Sequence, residues 1–172
     1  LMDRRICPNC GDQLLSSSGP LSANVLVVGD YPDWLDVITG TPFYDKDKKL
    51  RAGNILRSEL TRVNINPGRV RYTNLWLHAK KKKGQCEQGF HNTILIRELL
   101  KVEYVLLSGS EPLKLFLGDN APAAAWSGLS LKSPDLPSEV KAMGCVKIAT
   151  GFDMIGEVRL AIQRFGELVH GN

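Results

Sequence analysis

Hydrophobic positions along the chain fall into short apolar runs separated by stretches of helical spacing. Asn24-Val25-Leu26-Val27-Val28 is a β-branched run closed by Gly29, the pattern of a strand buried on both faces. Val70 to Leu77 is a second strand candidate, Tyr104-Val105-Leu106-Leu107-Ser108-Gly109 is a third, buried strand, and Val146-Lys147-Ile148-Ala149-Thr150 reads as a fourth strand. Between them, Ile55, Leu56, Leu60 and Val63 recur at helical spacing over Ala52–Val63, and Ile94, Leu95, Leu99 and Leu100 do so over residues 90–101. Ser110 to Leu117 opens a helix with Pro112 in its first turn, where a missing N–H does no harm. Met154 to Leu168 is a closing helix. Residues 34–50 look irregular, Pro67-Gly68 is a turn, and residues 118–144, rich in Gly, Pro, Ala and Ser, read as a long surface excursion.

Strands alternating with helices imply an α/β fold: three layers, α/β/α, around a central, mostly parallel four-stranded sheet. The chain of 172 residues suits one domain, 1–172, with a Cys-containing opening segment over residues 1–22. Ligands of such sheets sit beyond the carboxyl ends of the strands. That rule selects residues 29–33, 73–78 and 150–154.

Composition narrows the function classes. No apolar stretch approaches a membrane span, and Leu1-Met2-Asp3-Arg4-Arg5 lacks a following apolar region, so a cytoplasmic, nucleoid-associated protein is expected. Net charge is +4. The positive charge is clustered: Lys80-Lys81-Lys82-Lys83 is uninterrupted, preceded by Arg69, Arg71 and His78, and Lys46, Lys48, Lys49 and Arg51 form a second group. Such clusters neutralise phosphates, although a lysine run also serves as a solvated loop. Neither GxxxxGK[ST] nor GxGxxG occurs. Cys7-Pro8-Asn9-Cys10 is a knuckle whose spacing suits zinc or one edge of an iron–sulfur cluster. Cys145 reads as a small buried hydrophobe.

Six short pieces in order carry a family resemblance: Cys7-Pro8-Asn9-Cys10; Gly29-Asp30-Tyr31-Pro32-Asp33 after the first strand; Gly40-Thr41-Pro42-Phe43; Arg51-Ala52-Gly53 at a helix start; Thr73-Asn74 at a strand end; and Val105 to Gly109. Over roughly residues 7–118 the chain resembles the uracil-DNA glycosylase superfamily, and within it most closely the iron–sulfur-containing family 4. The resemblance implies a monomeric glycosylase that flips a uracil, or a related deaminated base, out of single- or double-stranded DNA and hydrolyses its N-glycosidic bond. Phe43 would supply the π-face of the base pocket and Asn74 an amide that both donates and accepts, pairing with uracil O4 and N3–H together. Gly29 and Tyr31 would complete the pocket wall. Asp30 stands where the family has Glu, one methylene longer, and would orient the attacking water and stabilise an oxocarbenium-like species. Asp33 is a reserve carboxylate.

Two departures matter. The family's second active-site motif is a His-Pro pair, and the corresponding stretch here reads Thr150-Gly151-Phe152-Asp153-Met154. Neither His91 nor His170 fits that place by order. Met154 could act as an apolar wedge into the duplex. The family also completes a four-cysteine cluster with a cysteine four residues after the Asn, where this chain has His78. The expected metal set is therefore Cys7, Cys10, His78 and Cys86, with His91 as substitute for His78, holding a 4Fe-4S cluster, a structural zinc or no metal. The competing readings are a catalytically impaired, replication-associated DNA-binding module of the same fold and a zinc-ribbon-tagged nucleotide-binding protein outside the superfamily.

Overall fold

The computed structural model describes residues 5–46, 51–149 and 153–171. Lys48, Lys49 and the 150–152 stretch therefore lie outside the described residues. The elements are β1 (Val25–Gly29), α1 (Trp34–Thr39), α2 (Ala52–Arg62), β2 (Val70–Asn74), α3 (Gly89–Leu99), β3 (Tyr104–Ser108), α4 (Ser110–Leu117), α5 (Ala123–Trp126), β4 (Ser130–Leu131), β5 (Lys141–Cys145) and α6 (Ile155–His170). A 3-10 turn, Pro67–Arg69, leads into β2.

The sheet order is β2-β1-β3-β5-β4. The first four of these strands run parallel, and β4 pairs antiparallel with β5 at the edge. Side chains alternate across the pleat. Val25 and Val27 of β1 pack on one face with Ile55, Leu56 and Leu60 of α2 and Ile162 and Phe165 of α6. Leu26 and Val28 face the other way, onto Leu95 and Leu99 of α3 and Leu113 and Phe116 of α4. Burial on both faces explains why β1 carries no polar alternation. A bidentate ion pair from Arg71 Nε and Nη2 to Glu98, at 2.6 and 3.1 Å, ties β2 to α3. Glu59 is bound by Arg159 and joins α2 to α6.

The opening segment reaches the free edge of β2. Ser18 and Tyr72 exchange two backbone hydrogen bonds of 3.0 and 2.8 Å, and Leu15 N donates to Leu77 O.

Three expectations from the pattern need correction. Residues 34–50 are not irregular throughout, because α1 forms within them. Asp33 caps it and Asp36 returns a bond to Asp33 N, a capping box, and Gly40 ends it in the left-handed conformation. Its apolar Trp34, Val37 and Ile38 are exposed, so no inward-facing stripe marks it. The sheet has five strands rather than four. Its fourth parallel strand is Lys141–Cys145, inside the expected surface excursion, and not the expected 146–150 run, whose described residues, 146–149, form no strand. Val105 to Ser108 pair with Ala142 to Cys145, after which β3 turns into α4 and offers no further ladder. Val146 to Ile148 are held by serine hydroxyls instead. Ser108 Oγ donates to Val146 O and accepts from Ile148 N, both at 3.1 Å, and Ser127 Oγ accepts from Val146 N.

Ser108 is buried, so removing its hydroxyl strands a buried donor and acceptor. Ser108→Ala is expected to destabilise the protein by about 1–3 kcal/mol, read as a lower urea midpoint with an unchanged slope.

Candidate functional site

β1 is the first strand; β2 is added on one side of it and β3 on the other. The crevice of a doubly wound sheet opens at this point of reversal, beyond the carboxyl ends of the strands. Gly29 ends β1, directly opposite Asn74 at the end of β2 in the parallel register. A Cβ placed on Gly29 would lie 2.5 Å from Asn74 Oδ1 and 2.8 Å from Phe43 Cζ. Only a residue without a side chain lets the amide and the ring approach the end of β1 together. Phe43 and Asn74 are 8% and 5% exposed. Among the described residues the Asn74 side-chain amide has no hydrogen-bond partner.

Phe43 has φ 52°, a left-handed conformation uncommon for an aromatic residue. Two contacts hold the chain there. Arg57 Nη1 donates to Phe43 O. Asp36 Oδ1 accepts from Tyr44 N at 2.9 Å. Asp33, the reserve carboxylate, caps α1 and pairs with Arg51 at 3.2 Å.

Asp30 follows Gly29, but its carboxylate turns toward the start of α4. Oδ1 accepts from Glu111 N at 3.0 Å, and a Cβ on Gly109 would lie 2.6 Å from Asp30 Oδ2. Gly109, with φ 99°, is the N-cap residue of α4 and has no side chain to cap with, so Asp30 supplies the cap from across the crevice. Burial raises the Asp30 pKa above its ordinary 3.8, only partly offset by the Glu111 N–H.

Tyr31 stacks on Trp76, with ring centroids 5.7 Å apart and planes 7° from parallel. Lys80 Nζ lies over Tyr31 at 5.7 Å. Burial, with the nearby Glu111 and Asp30 carboxylates, pushes the Tyr31 phenol up to about 12. These rings, Lys80–Lys83, Gly84 and Cys86 line a groove of about 310 Å³. Lys80, Lys82 and Lys83 are exposed; Lys81 is half-buried and pairs with Asp12 at 2.6 Å. Lysines beside an aromatic platform form a surface that suits a phosphodiester chain and its bases. Met154 is 42% exposed and stands apart from this groove, beside Ile55 and Lys147 at the start of α6. Trp76 was missed by sequence reasoning; its place two residues beyond Asn74, on the same strand end, was the available signal.

Cys7, Cys10, His78 and Cys86 bring their ligand atoms within 4.8 Å of one another, a candidate metal centre. Residues 5–14 form a hairpin closed by Cys7 N to Asp12 O and Leu14 N to Arg5 O, which presents Cys7 and Cys10. His78 follows β2, and Cys86 precedes α3. His91 lies against the cluster, its Nε2 3.8 Å from Cys7 Sγ and 3.7 Å from Cys86 Sγ. Burial, then the His78 charge, lowers its pKa to about 4. Burial raises the Cys7 thiol, but the backbone N–H groups of Asn9 and Cys10, together with the Cys86 and Cys10 thiols, outweigh it and hold the pKa at about 7. Cys145 is buried in the core, away from this cluster, and burial pushes it up to about 12.

The family model of the uracil-DNA glycosylase superfamily matches residues 16–153, and the mostly parallel sheet is consistent with its fold. The chain belongs to that superfamily. Membership supports a glycosylase-type, hydrolytic function and DNA as partner at the level of the family. No curated protein matches the chain. No helix among the described residues is long and apolar enough to cross a membrane.

The double role of Asp30 yields a stability prediction. A raised carboxylate pKa means that this group's contribution is complete at acid pH, below 3.8, and is withdrawn as pH rises through the folded-state value. Asp30→Asn keeps an acceptor for Glu111 N and cannot ionise. It is expected to match the parent in acid and to be more stable at neutral pH. Asp30→Ala loses the cap and should cost about 1 kcal/mol relative to Asn. Thermal unfolding of the three proteins across pH checks both.

Proposed function

We propose that the chain is a DNA glycosylase that excises uracil, or a related deaminated base, acting as a monomer on DNA in the cytoplasm. The observation that carries this reading is the meeting of the Phe43 ring with the unpartnered Asn74 amide over side-chain-free Gly29. Among the described residues the Asn74 amide bonds no other residue and its polar atoms are not sealed from solvent, so both stay available to a ligand that enters the crevice. A flipped uracil would offer a π-face to Phe43, a carbonyl acceptor to the Asn74 NH2 and an N3–H donor to its Oδ1. Cytosine presents the reverse pattern and would leave two polar atoms unpaired.

The reaction breaks the C1′–N1 bond, with its electron pair leaving on the base. Water adds to C1′, and the proton it gives up goes, by way of solvent, to the departing base anion. Asp30, ionised, would stabilise the cationic sugar and orient that water through the oxygen not fixed by Glu111 N. The groove between Tyr31, Trp76 and the lysine run supports binding of the flanking strand through phosphate neutralisation and stacking. Met154, exposed at the start of α6, is assigned the wedge role with the duplex.

Two observations favour the second reading, a DNA-binding module of the same fold without catalysis. The Asp30 carboxylate is engaged as the cap of α4, and the sequence lacks the motif histidine that would stabilise the departing base.

The test is incubation with a uracil-containing oligonucleotide followed by alkaline cleavage at abasic sites. Release by the parent protein that falls about 100-fold or more in Asn74→Ala, Phe43→Ala and Asp30→Asn is the expected result. Salt-sensitive binding with no release would establish the module instead. In either case each of Lys80→Ala, Lys82→Ala and Lys83→Ala should lower the slope of log affinity against log salt by about 0.7–0.9.

A further inference from the structure

We infer that the Cys7, Cys10, His78 and Cys86 centre is built for a single tetrahedral zinc ion, with His91 donating to the thiolates from outside the coordination shell. It is not built for the iron–sulfur cluster that the family resemblance implies.

The distances separate the two. One zinc ion, with Zn–S of about 2.3 Å and Zn–N of about 2.0–2.1 Å, sets tetrahedral edges of about 3.8 Å between sulfurs and about 3.5 Å between sulfur and nitrogen. Cys7 Sγ and Cys86 Sγ are 3.6 Å apart. His78 Nε2 lies 3.4 Å from Cys10 Sγ and 3.3 Å from Cys86 Sγ. These three edges match a tetrahedron around one ion, and all four ligand atoms lie within 4.8 Å of one another. A four-iron cluster places a cube of iron and sulfide between its ligands, one iron for each, and spreads the ligand atoms well beyond such edges. The donor set agrees, because three thiolates and one imidazole form a common closed zinc shell, whereas four-iron clusters are held by four cysteines.

Backbone partners decide which histidine binds. His78 Nδ1 lies 2.9 Å from Ala79 O, a carbonyl that can only accept, so Nδ1 carries the proton and Nε2 keeps its lone pair for a metal. His91 is the reverse. Leu77 N donates to His91 Nδ1 at 3.1 Å, so the neutral ring carries its proton on Nε2. That N–H points between Cys7 Sγ and Cys86 Sγ and donates to both. A protonated nitrogen cannot ligate. The two histidines therefore hold distinct posts, ligand and outer donor, and the second neutralises part of the negative charge of three thiolates around a dication. His91 is fully buried against Trp76 and Phe90, which keeps that donor in place.

The ion would join two segments far apart in the chain: the 5–14 hairpin and the 78–86 stretch that carries Lys80–Lys83. The centre stands whether or not the chain excises bases.

The experiment is metal analysis of the full chain produced with both iron and zinc supplied, followed by X-ray absorption at the bound metal's edge. The expected result is one zinc per chain, no acid-labile sulfide, and a shell of three sulfurs and one nitrogen. His78→Ala should remove the nitrogen from the shell. His91→Ala should leave the shell intact while weakening zinc affinity about 10- to 100-fold in chelator competition. His78→Cys should bind zinc through four sulfurs rather than acquire a cluster. Iron with matching labile sulfide in the parent protein overturns the inference, as does a stable metal-free protein. Loss of the shell nitrogen in His91→Ala, with His78→Ala unchanged, overturns the ligand assignment.

Discussion

The carboxyl end of β1 depends on one missing side chain. Gly29 sits between the Asn74 amide and the Phe43 ring, and any Cβ there would displace one or both. The surroundings are arranged around that close approach. Phe43 is kept in an unfavourable backbone conformation by bonds from Arg57 and to Asp36. Asp36 in turn closes the capping box of α1, so the short helix and the ring are fixed by the same carboxylate. The next residue, Asp30, is committed to the opposite wall of the crevice, where Gly109 yields the room its carboxylate needs. Two glycines, one ending β1 and one following β3, thus apportion the crevice between an aromatic and amide pair on one side and a carboxylate on the other.

The parallel core was legible because β1 and β3 are apolar runs bounded by Gly, β2 follows the Pro67-Gly68 turn, and helices α2, α3, α4 and α6 carry inward stripes. What escaped was governed by partners distant in sequence. Val146 to Thr150 alternate as a strand should, whereas Lys141–Cys145 contain Ala and Gly. Yet β3 pairs with the latter, and Ser108 and Ser127 occupy the backbone of the former. The helix α1 escaped because its apolar residues face outward. Within the site, Phe43 and Asn74 were reached through the order of short motifs. The engagement of Asp30 by Glu111, 81 positions away, has no local signature. The choice between His78 and His91 was equally hidden, since it rests on one carbonyl and one amide of the main chain.

The cysteine knuckle and the lysine run are expectations of different kinds in the sequence, one about metal and one about phosphate. In the folded chain they are neighbours. Cys86 lines the same groove as Lys80–Lys83, and Lys81 is bound to Asp12 of the knuckle hairpin. Order in the hairpin is therefore order in the basic loop, and the Tyr31–Trp76 stack lies between that loop and the end of β1. Trp76 touches both domains of chemistry: its ring packs on His91, and its backbone N–H bonds Asp30 O.

The reciprocal bonds between Ser18 and Tyr72 have a bearing on behaviour in concentrated solution. They occupy part of the outer rim of β2, while the opposite rim is a two-residue antiparallel strand. Short or covered rims give an incoming chain little template for adding a strand. The same opening segment that carries Cys7 and Cys10 thus also shields the molecule from edge-on self-association, so its detachment would alter colloidal behaviour as well as break up the cysteine and histidine cluster.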